Sequence, residues 1–470
     1  MKRLVILLLI ISPFVLSAQG NITNSVSTNY NWNYVGEPAF AFGGYWWQGT
    51  YLSLAFGPSE KAYVAFTDWA NDGKLTVMKF EGNQWMIVGN VGFSAGTANY
   101  VKLIFNDAGQ PFIAYRDGGN SQKATVMKFD GLNWVPVGNP GFSTGEAFFT
   151  SPTFSPTGEL YIAFSDLAFD SKATVKKFDG INWIDLGNPH FSDGAAYFIY
   201  LTFNNSNEPC VGYSDYSNGR KATVKCYDGT SWTTMGSNGF SVNEAQDINL
   251  QLNPVDHKLY ISYKDLDWGN YLRSTVMRYD ETGWVTVGTA GFSPGEVGYP
   301  SFKISKEGKL YVGFGDAQNN YKASVMTFNG SNWVMVGNPG ISPGDELWLN
   351  ELAVNQNGTP YFAFNDRGHN TDSCMIYVMK YDSVTVGVAA LLSKVCVYPN
   401  PATSEITFDL PSIQGQKTKL EILTANGFPI YECTLTENKV HISLTDFPKG
   451  LYLFRVSNDN SYYSGKFLKN

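Results

Sequence analysis

Two stretches of this sequence nearly repeat each other: KATVMKFDGLNWVPVGNPGFSTGEA at residues 123–147 and KATVKKFDGINWIDLGNPHFSDGAA at residues 172–196. Both contain the pattern W-x-x-[VLM]-G, whose Trp recurs at spacings of 53, 49, 49, 49, 52 and 49 residues. The seven residues are Trp32, Trp85, Trp134, Trp183, Trp232, Trp284 and Trp333. A period near 50 residues indicates an array of similar units that bury their apolar faces against one another.

Each unit divides into four short predicted strands, which we label a to d. In the second unit they cover 100–105, 111–117, 123–129 and 134–138, and they are rich in β-branched and aromatic residues. The a–b turn (NDAGQ) and the c–d turn (DGLN) are tight and contain typical turn formers. Four meandering strands per unit predict the blade of a β-propeller.

The order of the strands predicts how the propeller closes. There are seven a, b and c segments and seven d segments, but the first d segment, 31–36, precedes every a segment. The last c segment, 376–382, has no d segment after it. We therefore expect an all-β fold, a seven-bladed β-propeller over 31–383 that is closed by the N-terminal strand and leaves no open sheet edge.

Composition excludes several other classes of protein. Charged residues are 16% and aromatic residues 15% of the 470 residues, whereas disordered chains are charge-rich and aromatic-poor. Glycine does not recur at every third position and no heptads run through the chain, which excludes collagen and a coiled coil. The net charge of −8 provides no basic stripe for nucleic acid. With four His and no C-x-x-C, we expect no metal site and no cofactor.

The N-terminus has the pattern of a signal peptide. Lys2 and Arg3 precede an apolar stretch, 4–15, and small residues before Gln19 suggest cleavage after residue 18. No later stretch has 18 consecutive apolar residues. We expect residues 1–18 to be removed and the mature form to have no transmembrane segment.

Two kinds of polar residue recur in the blades. An Asp ends strand b in every unit, at Asp68, Asp117, Asp166, Asp215, Asp265, Asp316 and Asp366. A basic residue opens strand c in six units, at Lys74, Lys123, Lys172, Lys221, Arg273 and Lys322. Their positions predict a structural role, a cross-strand ion pair with the Asp also capping the loop. The alternative is a ring of carboxylates for a metal or for catalysis. The Trp of strand d is expected to pack the outer strand onto its own blade.

The d–a loops carry the best functional signal. Six residues after the Ser of GFS, or in the corresponding part of the first blade, stand Trp47, Tyr100, Phe149, Phe198, Asp247, Tyr299 and Trp348. In a propeller this region lies at the mouth of the central channel, close to the acids Glu146, Glu244, Glu296, Asp345 and Glu346. Aromatic rings stack on sugar faces and carboxylates bind hydroxyls, so these seven are our candidate glycan-binding residues. The alternative is that the aromatic rings wedge between blades.

Sequence motifs of enzymes are absent. No His accompanies a G-x-S-x-G motif, no H-E-x-x-H occurs, and the repeated S-x-D-x-G-x-x-W box of sialidases is missing. We predict no catalytic residues and favour a non-enzyme, although two acids at the channel could still act as a glycosidase pair. Cys210 and Cys226 flank one hairpin and either pair across it or remain free thiols.

The pattern changes after the propeller. A link at 384–394 leads to about 75 residues in short alternating strands, which predict a small β-sandwich at 395–470. Tyr398-Pro399-Asn400-Pro401 opens this segment. Gly450-Leu451-Tyr452 stands near its end and Lys466-Phe467-Leu468-Lys469 finishes it.

With these motifs the segment resembles the C-terminal sorting domain of the type IX secretion system. The resemblance implies passage through the periplasm, the type IX machinery and its sorting protease as partners, and a final place outside the cell or on the outer-membrane surface. It makes these motif residues a sorting address. The alternative is an ordinary adhesive β-sandwich.

The propeller repeats resemble a group of bacterial secreted propeller repeats (VAYxD…KATVMKFxGxxWxxVG) that has no fixed activity. The leading functional hypothesis is a secreted or cell-surface, lectin-like binding protein that uses its d–a and b–c loop face. The alternatives are an adhesion scaffold for protein contacts and a polysaccharide-active glycosidase or lyase with an unmarked acid pair.

Overall fold

The computed structural model describes residues 29–45, 48–266, 272–367, 373–384, 395–410, 418–425, 429–458 and 461–470. The predicted signal peptide, Trp47 and all but the first residue of the 384–394 link lie outside these residues. The chain divides into two compact units, one of which is Tyr30–Asp382; the other contains the C-terminal residues from Ser383.

The larger unit consists of repeated antiparallel sheets, six of which have four strands that pair in chain order. Their strands are β3 (Leu52–Phe56), β4 (Ala62–Asp68), β5 (Lys74–Glu81) and β6 (Gln84–Ile87); β7 (Ala98–Phe105), β8 (Pro111–Asp117), β9 (Lys123–Phe129) and β10 (Trp134–Pro136); β11 (Ala147–Phe154), β12 (Leu160–Asp166), β13 (Lys172–Phe178) and β14 (Trp183–Asp185); β15 (Ala196–Phe203), β16 (Pro209–Asp215), β17 (Lys221–Tyr227) and β18 (Trp232–Thr234); β19 (Glu244–Leu252), β20 (Leu259–Leu266), β21 (Leu272–Asp280) and β22 (Gly283–Thr286); and β23 (Val297–Ile304), β24 (Leu310–Asp316), β25 (Lys322–Phe328) and β26 (Trp333–Met335).

A further sheet joins the two ends of this unit. It contains β27 (Asp345–Val354), β28 (Pro360–Arg367) and β29 (Ser373–Val384), and β29 pairs with both β1 (Asn29–Tyr34) and β2 (Ala41–Tyr45). Asn33 Nδ2 donates a hydrogen bond to Asp382 Oδ1 at 2.7 Å, and Val35 N donates to Val378 O at 2.9 Å. The first strand of the unit is therefore part of the same sheet as its last strands.

The second strand of each sheet is almost completely buried. All seven residues of β12, β16 and β24 are buried, because neighbouring sheets cover both faces. The apolar clusters run from one sheet into the next; one of them joins Leu75 and Val77 to Leu103 and Ile113. Burial on both faces explains the low charge and high aromatic content of the sequence.

We predicted that each repeated Trp packs on its own sheet. The structure shows that each of these Trp residues also joins its sheet to the preceding one. Trp134 stacks on Phe93, with ring centroids 4.8 Å apart and an 8° tilt, and its Nε1 donates to Val88 O at 2.8 Å. The reason is that an outer strand of three or four residues offers little surface, while a buried indole N–H needs an acceptor. The equivalent donor–acceptor pairs are Trp85–Val35, Trp183–Val137, Trp232–Leu186, Trp284–Met235, Trp333–Val287 and Trp32–Val336.

The repeated Asp residues cap short turns. Asp117 Oδ1 accepts from Gly119 N at 2.9 Å, which starts a 3₁₀ turn, while its Oδ2 accepts from Thr125 Oγ1 at 3.0 Å. Among the described residues, the 3₁₀ turns are Trp69–Asn71, Gly118–Asn120, Leu167–Phe169, Tyr216–Asn218 and Ala317–Asn319.

The capping role agrees with our expectation, but the predicted ion pair is absent from the first four sheets. Lys123 does stand opposite Asp117 in the register. Within the described residues, however, neither this pair nor the equivalent pairs at Asp68, Asp166 and Asp215 has its charges within ion-pair distance. At Asp68, Asp117 and Asp215 the carboxylate instead accepts hydrogen bonds from a backbone N–H, an Asn amide and a Thr hydroxyl.

Cys210 and Cys226 stand opposite each other in β16 and β17 and form a disulfide. The sequence left open whether these two cysteines form a disulfide across the hairpin or remain free thiols, and the structure shows the disulfide. Cys433 is a half-buried free thiol, and Cys374 is buried.

The C-terminal unit has two antiparallel sheets around one core. One sheet contains β30 (Cys396–Tyr398), β31 (Glu405–Asp409) and β34 (Lys439–Ser443); the other contains β32 (Thr418–Thr424), β33 (Pro429–Leu435), β35 (Gly450–Asn458) and β36 (Ser461–Lys469). Phe408 of the first sheet contacts Phe454 of the second, with centroids 5.0 Å apart. Asn400 Oδ1 accepts from Leu468 N at 3.0 Å, so the opening and closing motifs of this segment are in contact.

Candidate ligand-binding site

The first strands of six sheets share a bulge. The register with the second strand shifts between Asn99 and Lys102, Phe148 and Ser151, Tyr197 and Tyr200, Gln246 and Asn249, Gly298 and Ser301, and Leu347 and Asn350. Five residues inside these bulges have a left-handed backbone, with φ of 51° at Tyr100, 56° at Phe149, 53° at Phe198, 52° at Asp247 and 45° at Tyr299. A bulky residue in this conformation costs about 1–3 kcal/mol and is typical of ligand sites.

The five left-handed residues line one cavity of about 180 Å³, which we call the bulge-side cavity. Its lining also includes Tyr51 and Asn350, so residues in or next to the first strands of all seven sheets contribute to it. The left-handed residue interrupts the alternation of side chains between the two faces of the strand. Because the interruption recurs at the same place in consecutive sheets, each of these sheets directs one side chain into the same space. Five of our seven candidate residues thus lie together.

Aromatic side chains form one side of the bulge-side cavity. Tyr51, Tyr100, Phe149 and Phe198 come from four consecutive sheets, and neighbouring ring centroids are 4.9, 4.9 and 5.0 Å apart. All four are half-buried. We call this set the aromatic arc. Neighbouring rings are tilted by 46–53° to one another, so the arc offers several ring faces and edges to the cavity.

Tyr51 was not among the residues that we predicted from the sequence. The first blade has no GFS motif to mark this position, and the residue predicted there, Trp47, lies outside the described residues. The signal was present in strand a itself, because YLSLAF at 51–56 aligns with YVKLIF at 100–105. The backbone of Trp348 lies in the sixth bulge, but its side chain is not among those described.

Polar side chains also line the bulge-side cavity. Asp247, Asn350 and Tyr299 lie there, and we call them the polar arc. Asn350 is only 8% exposed, yet neither its amide oxygen nor its amide nitrogen has a hydrogen-bond partner among the described residues. A buried amide without partners is unfavourable, and a ligand that supplies a donor and an acceptor would satisfy it.

Charges near the polar arc are arranged around Asp247. Its Oδ2 lies 3.3 Å from Lys264 Nζ, an ion pair that is not aligned as a hydrogen bond. Burial raises the pKa of Asp247, and Lys264 opposes that rise. Lys264 Nζ also lies 5.9 Å from the ring centroid of Tyr299. The pKa of Tyr299 is raised by its burial and by the charge of Asp247.

Two of the acids that we expected at this mouth pair with arginines instead. Glu146 forms an ion pair with Arg116, and Glu244 lies 3.5 Å from Arg220. Neither lines the bulge-side cavity, to which the described residues contribute the acids Asp247 and Glu351. The side chains of Asp345 and Glu346 lie outside those described. In the part of the chain that the structure describes, no group of three or more His, Cys, Asp or Glu side chains is arranged to hold a metal ion.

Glu351 lies at the inner end of the cavity between two lysines. Its carboxylate is 2.5 Å from Lys102 Nζ and 3.0 Å from Lys303 Nζ, and its side chain is 7% exposed. Burial would raise the pKa of Glu351, but the two lysines outweigh burial and lower it. Burial would likewise lower the pKa of Lys303, but Tyr200 and Glu351 outweigh it and raise that pKa. Glu351 and Lys303 are therefore both charged at neutral pH.

Comparison with known proteins gives a family match for the C-terminal unit. Residues 396–470 match the family model described as "Secretion system C-terminal sorting domain". This segment coincides with the one in which the sorting motifs were recognised from sequence. A comparison with curated proteins finds no match for this chain.

Solved structures resemble the chain at low sequence identity. A protein of unknown function from Dyadobacter fermentans is 12% identical, covers 75% of this chain and 99% of its own, and has a TM-score of 0.44. An ulvan lyase bound to a -[GlcA(1-4)Rha3S]- ligand is 12% identical over 74% of this chain and 94% of its own, with a TM-score of 0.46. A mutant Aleuria aurantia lectin in complex with Fucα1-6GlcNAc is 13% identical over 62% and 96%, with a TM-score of 0.41.

The family match decides how the protein leaves the cell. Among the described residues, no helix is long and apolar enough to cross a membrane. Residues 396–470 are a type IX secretion C-terminal sorting domain, and the chain that carries it is exported to the cell surface or the extracellular space.

Proposed function

We propose that this protein is an exported, non-catalytic binding protein that recognises a saccharide in the bulge-side cavity. The observation that carries the proposal is that the aromatic arc and the polar arc line one cavity. A pyranose ring has the same division, with apolar C–H faces and hydroxyls at its edge. Rings of the aromatic arc would stack on the sugar face, and Asp247 and Asn350 would bind hydroxyls.

The size of the cavity suggests what part of a glycan enters it. Its volume of about 180 Å³ corresponds to roughly six water molecules, the space of a single sugar ring. The proposed ligand is therefore one residue of a glycan, inserted between the arcs, with the remainder of the chain outside. Binding would relieve the unpartnered amide of Asn350.

The proposal includes a closed seven-bladed propeller that spans 31–383, with the signal peptide at 1–18 and the sorting domain at 395–470. Support for closure comes from the Trp hydrogen bonds, which link each sheet to the one before it. The series runs from Trp85 to Trp333, and Trp32 of the N-terminal strand donates to Val336 at 2.7 Å and completes the series. A ring would also explain why residues from all seven sheets share one cavity.

The test is binding of the purified protein to a glycan array, followed by titration calorimetry with the best glycan. Phe149→Ala should weaken binding about two- to tenfold, since loss of a stacked ring removes roughly 0.5–1.5 kcal/mol. Tyr216→Ala removes an exposed aromatic ring outside the cavity and serves as the matched control. Absence of any glycan ligand, or equal effects of the two variants, would contradict the proposal.

A polysaccharide-active enzyme is the second candidate, because two acids with oppositely shifted pKa values line the same cavity. The pKa of Asp247 is raised and that of Glu351 is lowered, as in many acid–base pairs. Both oxygens of Glu351 are engaged by lysines, however, which favours binding over catalysis. Turnover on a polysaccharide panel that is lost in Asp247→Asn would establish the enzyme.

A further inference from the structure

A second cavity lies at the other end of the first strands. It has a volume of about 670 Å³ and is lined by the later residues of these strands and by turns to the second strands, such as 57–60 and 106–107. We call it the turn-side cavity. Lys102, Ser151, Tyr200 and Glu351 line both cavities, whereas Lys303 lines only this one. The saccharide proposal makes no use of the turn-side cavity.

Lys102, Glu351 and Lys303 form the floor of the turn-side cavity, and they come from three different sheets. Two ammonium groups share one carboxylate, so the floor has an excess of one positive charge. Each ammonium has three N–H donors. Glu351 is the acceptor found for Lys102 among the described residues, and Lys303 interacts with Glu351 and Tyr200.

We propose that the turn-side cavity binds a small ligand through a single oxyanion, a carboxylate or a sulfate, held by Lys303 and Lys102. The side chains of these lysines are 23% and 31% exposed, so their charges are open to the cavity but partly removed from water. An oxyanion there would neutralise the excess charge, and charge-assisted hydrogen bonds of this kind are among the stronger polar contacts. Partial removal from water strengthens them further.

Polar groups at the entrance of the turn-side cavity indicate what the ligand carries besides its anionic group. Glu60 and Asp107 lie in its turns, and Asp107 is exposed. Glu60 Oε2 accepts from Gln356 N at 2.8 Å, whereas its Oε1 is buried without a hydrogen-bond partner among the described residues. Two carboxylates at the entrance disfavour a polyanion, and the unpartnered oxygen suits a hydroxyl. The ligand class that fits both ends is a hydroxylated molecule with one anionic group, such as an acidic monosaccharide.

Calorimetric titration of the full-length mature protein with glucuronate, glucose 6-sulfate and glucose tests this proposal. We expect at least one of the two anions to bind about tenfold or more tightly than glucose. Binding of glucuronate alone assigns the site to carboxylates, and binding of both assigns it to oxyanions in general. Equal binding of glucose, or no binding of either anion, would overturn the proposal.

Variants of Lys303 separate this site from the saccharide site, because Lys303 does not line the bulge-side cavity. Lys303→Met leaves Glu351 paired with Lys102 and should weaken anion binding about tenfold, while Lys303→Arg keeps the cation and should retain it. Glu60→Gln removes a repelling charge and should tighten anion binding. Phe149→Ala should leave anion binding unchanged. If Lys303→Met binds the anions as well as Lys303→Arg does, the assigned site is wrong, whatever the outcome for the glycan.

Discussion

Single residues show how a repeat can be modified without loss of the fold. In four sheets the Asn that ends the 3₁₀ turn donates its amide to the capping Asp, at 2.8–2.9 Å for Asn71, Asn120, Asn218 and Asn319. In the third of the four-stranded sheets Phe169 stands at this position. Asp166 Oδ2 and Thr174 Oγ1 are consequently buried without hydrogen-bond partners among the described residues.

Phe169→Asn should therefore stabilise the protein. The new amide would donate to Asp166 Oδ2 as Asn120 does to Asp117, and one such hydrogen bond contributes about 1 kcal/mol. The denaturant concentration at the unfolding midpoint measures this gain. Asn120→Phe is the mirror control and should lose a similar amount. A lower midpoint for Phe169→Asn would mean that the stacking of Phe169 on His190 is worth more than the hydrogen bond.

For single residues, the sequence predicted where the strands begin and end better than it predicted which side chains meet. The spacing of the Trp and Asp residues predicted the strands to within two residues in the second unit, since β8 and β9 begin and end where expected. Spacing could not predict that Trp134 reaches the preceding sheet, because side-chain direction depends on the neighbour's backbone. The pairing of Glu146 with Arg116 was missed for the same reason.

Among the structural elements, β1 joins the start of the larger unit to its last strands. Its Trp32 and Asn33 donate to Val336 and Asp382, and the strand covers the edge of β29. Sequence alone predicted this pairing, because strand d of the first unit had no a, b and c strands before it. The bulges were not predicted, since a left-handed residue in a strand has no composition signal when it is not glycine.

Deletion of 29–36 should lower the melting temperature sharply, because it removes a strand ladder, the Trp32 hydrogen bond and the Asn33 hydrogen bond together. Trp134→Phe is a suitable control, since it removes the equivalent indole hydrogen bond and leaves every strand in place. We expect a loss of about 1 kcal/mol for the control and several times that for the deletion. Equal melting temperatures for the deletion and the wild type, by calorimetry, would contradict the role of β1.

At the scale of the whole molecule, one cluster of charges in the larger unit joins sheets that are distant in sequence. Lys102 and Glu351 are separated by 249 residues, yet their charges lie 2.5 Å apart. The sequence offered no means to find this cluster, because its charges stand at strand positions that are uncharged in most units of the repeat. Such a buried cluster gives the stability of the protein a defined pH dependence.

Glu351→Gln should destabilise the protein at neutral pH. The change leaves two lysines without a carboxylate, and we expect a loss of about 2–3 kcal/mol, less than for a fully buried pair because the lysines are partly exposed. The pKa of Glu351 is lowered in the folded state. Its stabilisation is therefore complete above the unfolded value of about 4.3 and is lost as the pH falls through the folded pKa.

Unfolding in denaturant at several pH values measures this effect. The difference between the wild type and Glu351→Gln should be largest at neutral pH and should disappear in acid. Lys303→Met keeps the Lys102–Glu351 pair and should lose less than half as much. A difference that does not change with pH would show that the effect of Glu351→Gln comes from packing and not from its charge.

The pairing of β1 with β29 also governs the order of events when the chain folds. Asn33 and Asp382 are 349 residues apart, so β1 has no partner until nearly the whole larger unit has been synthesised. The chain entropy that opposes joining such distant segments is about 5 kcal/mol, and it must be offset by contacts that form only at that moment. We therefore expect the middle sheets to form first and the joining of the two ends to be the last, slowest step. Until then β1 and β29 are exposed strand edges, and this is the interval in which the protein is most vulnerable to aggregation and proteolysis.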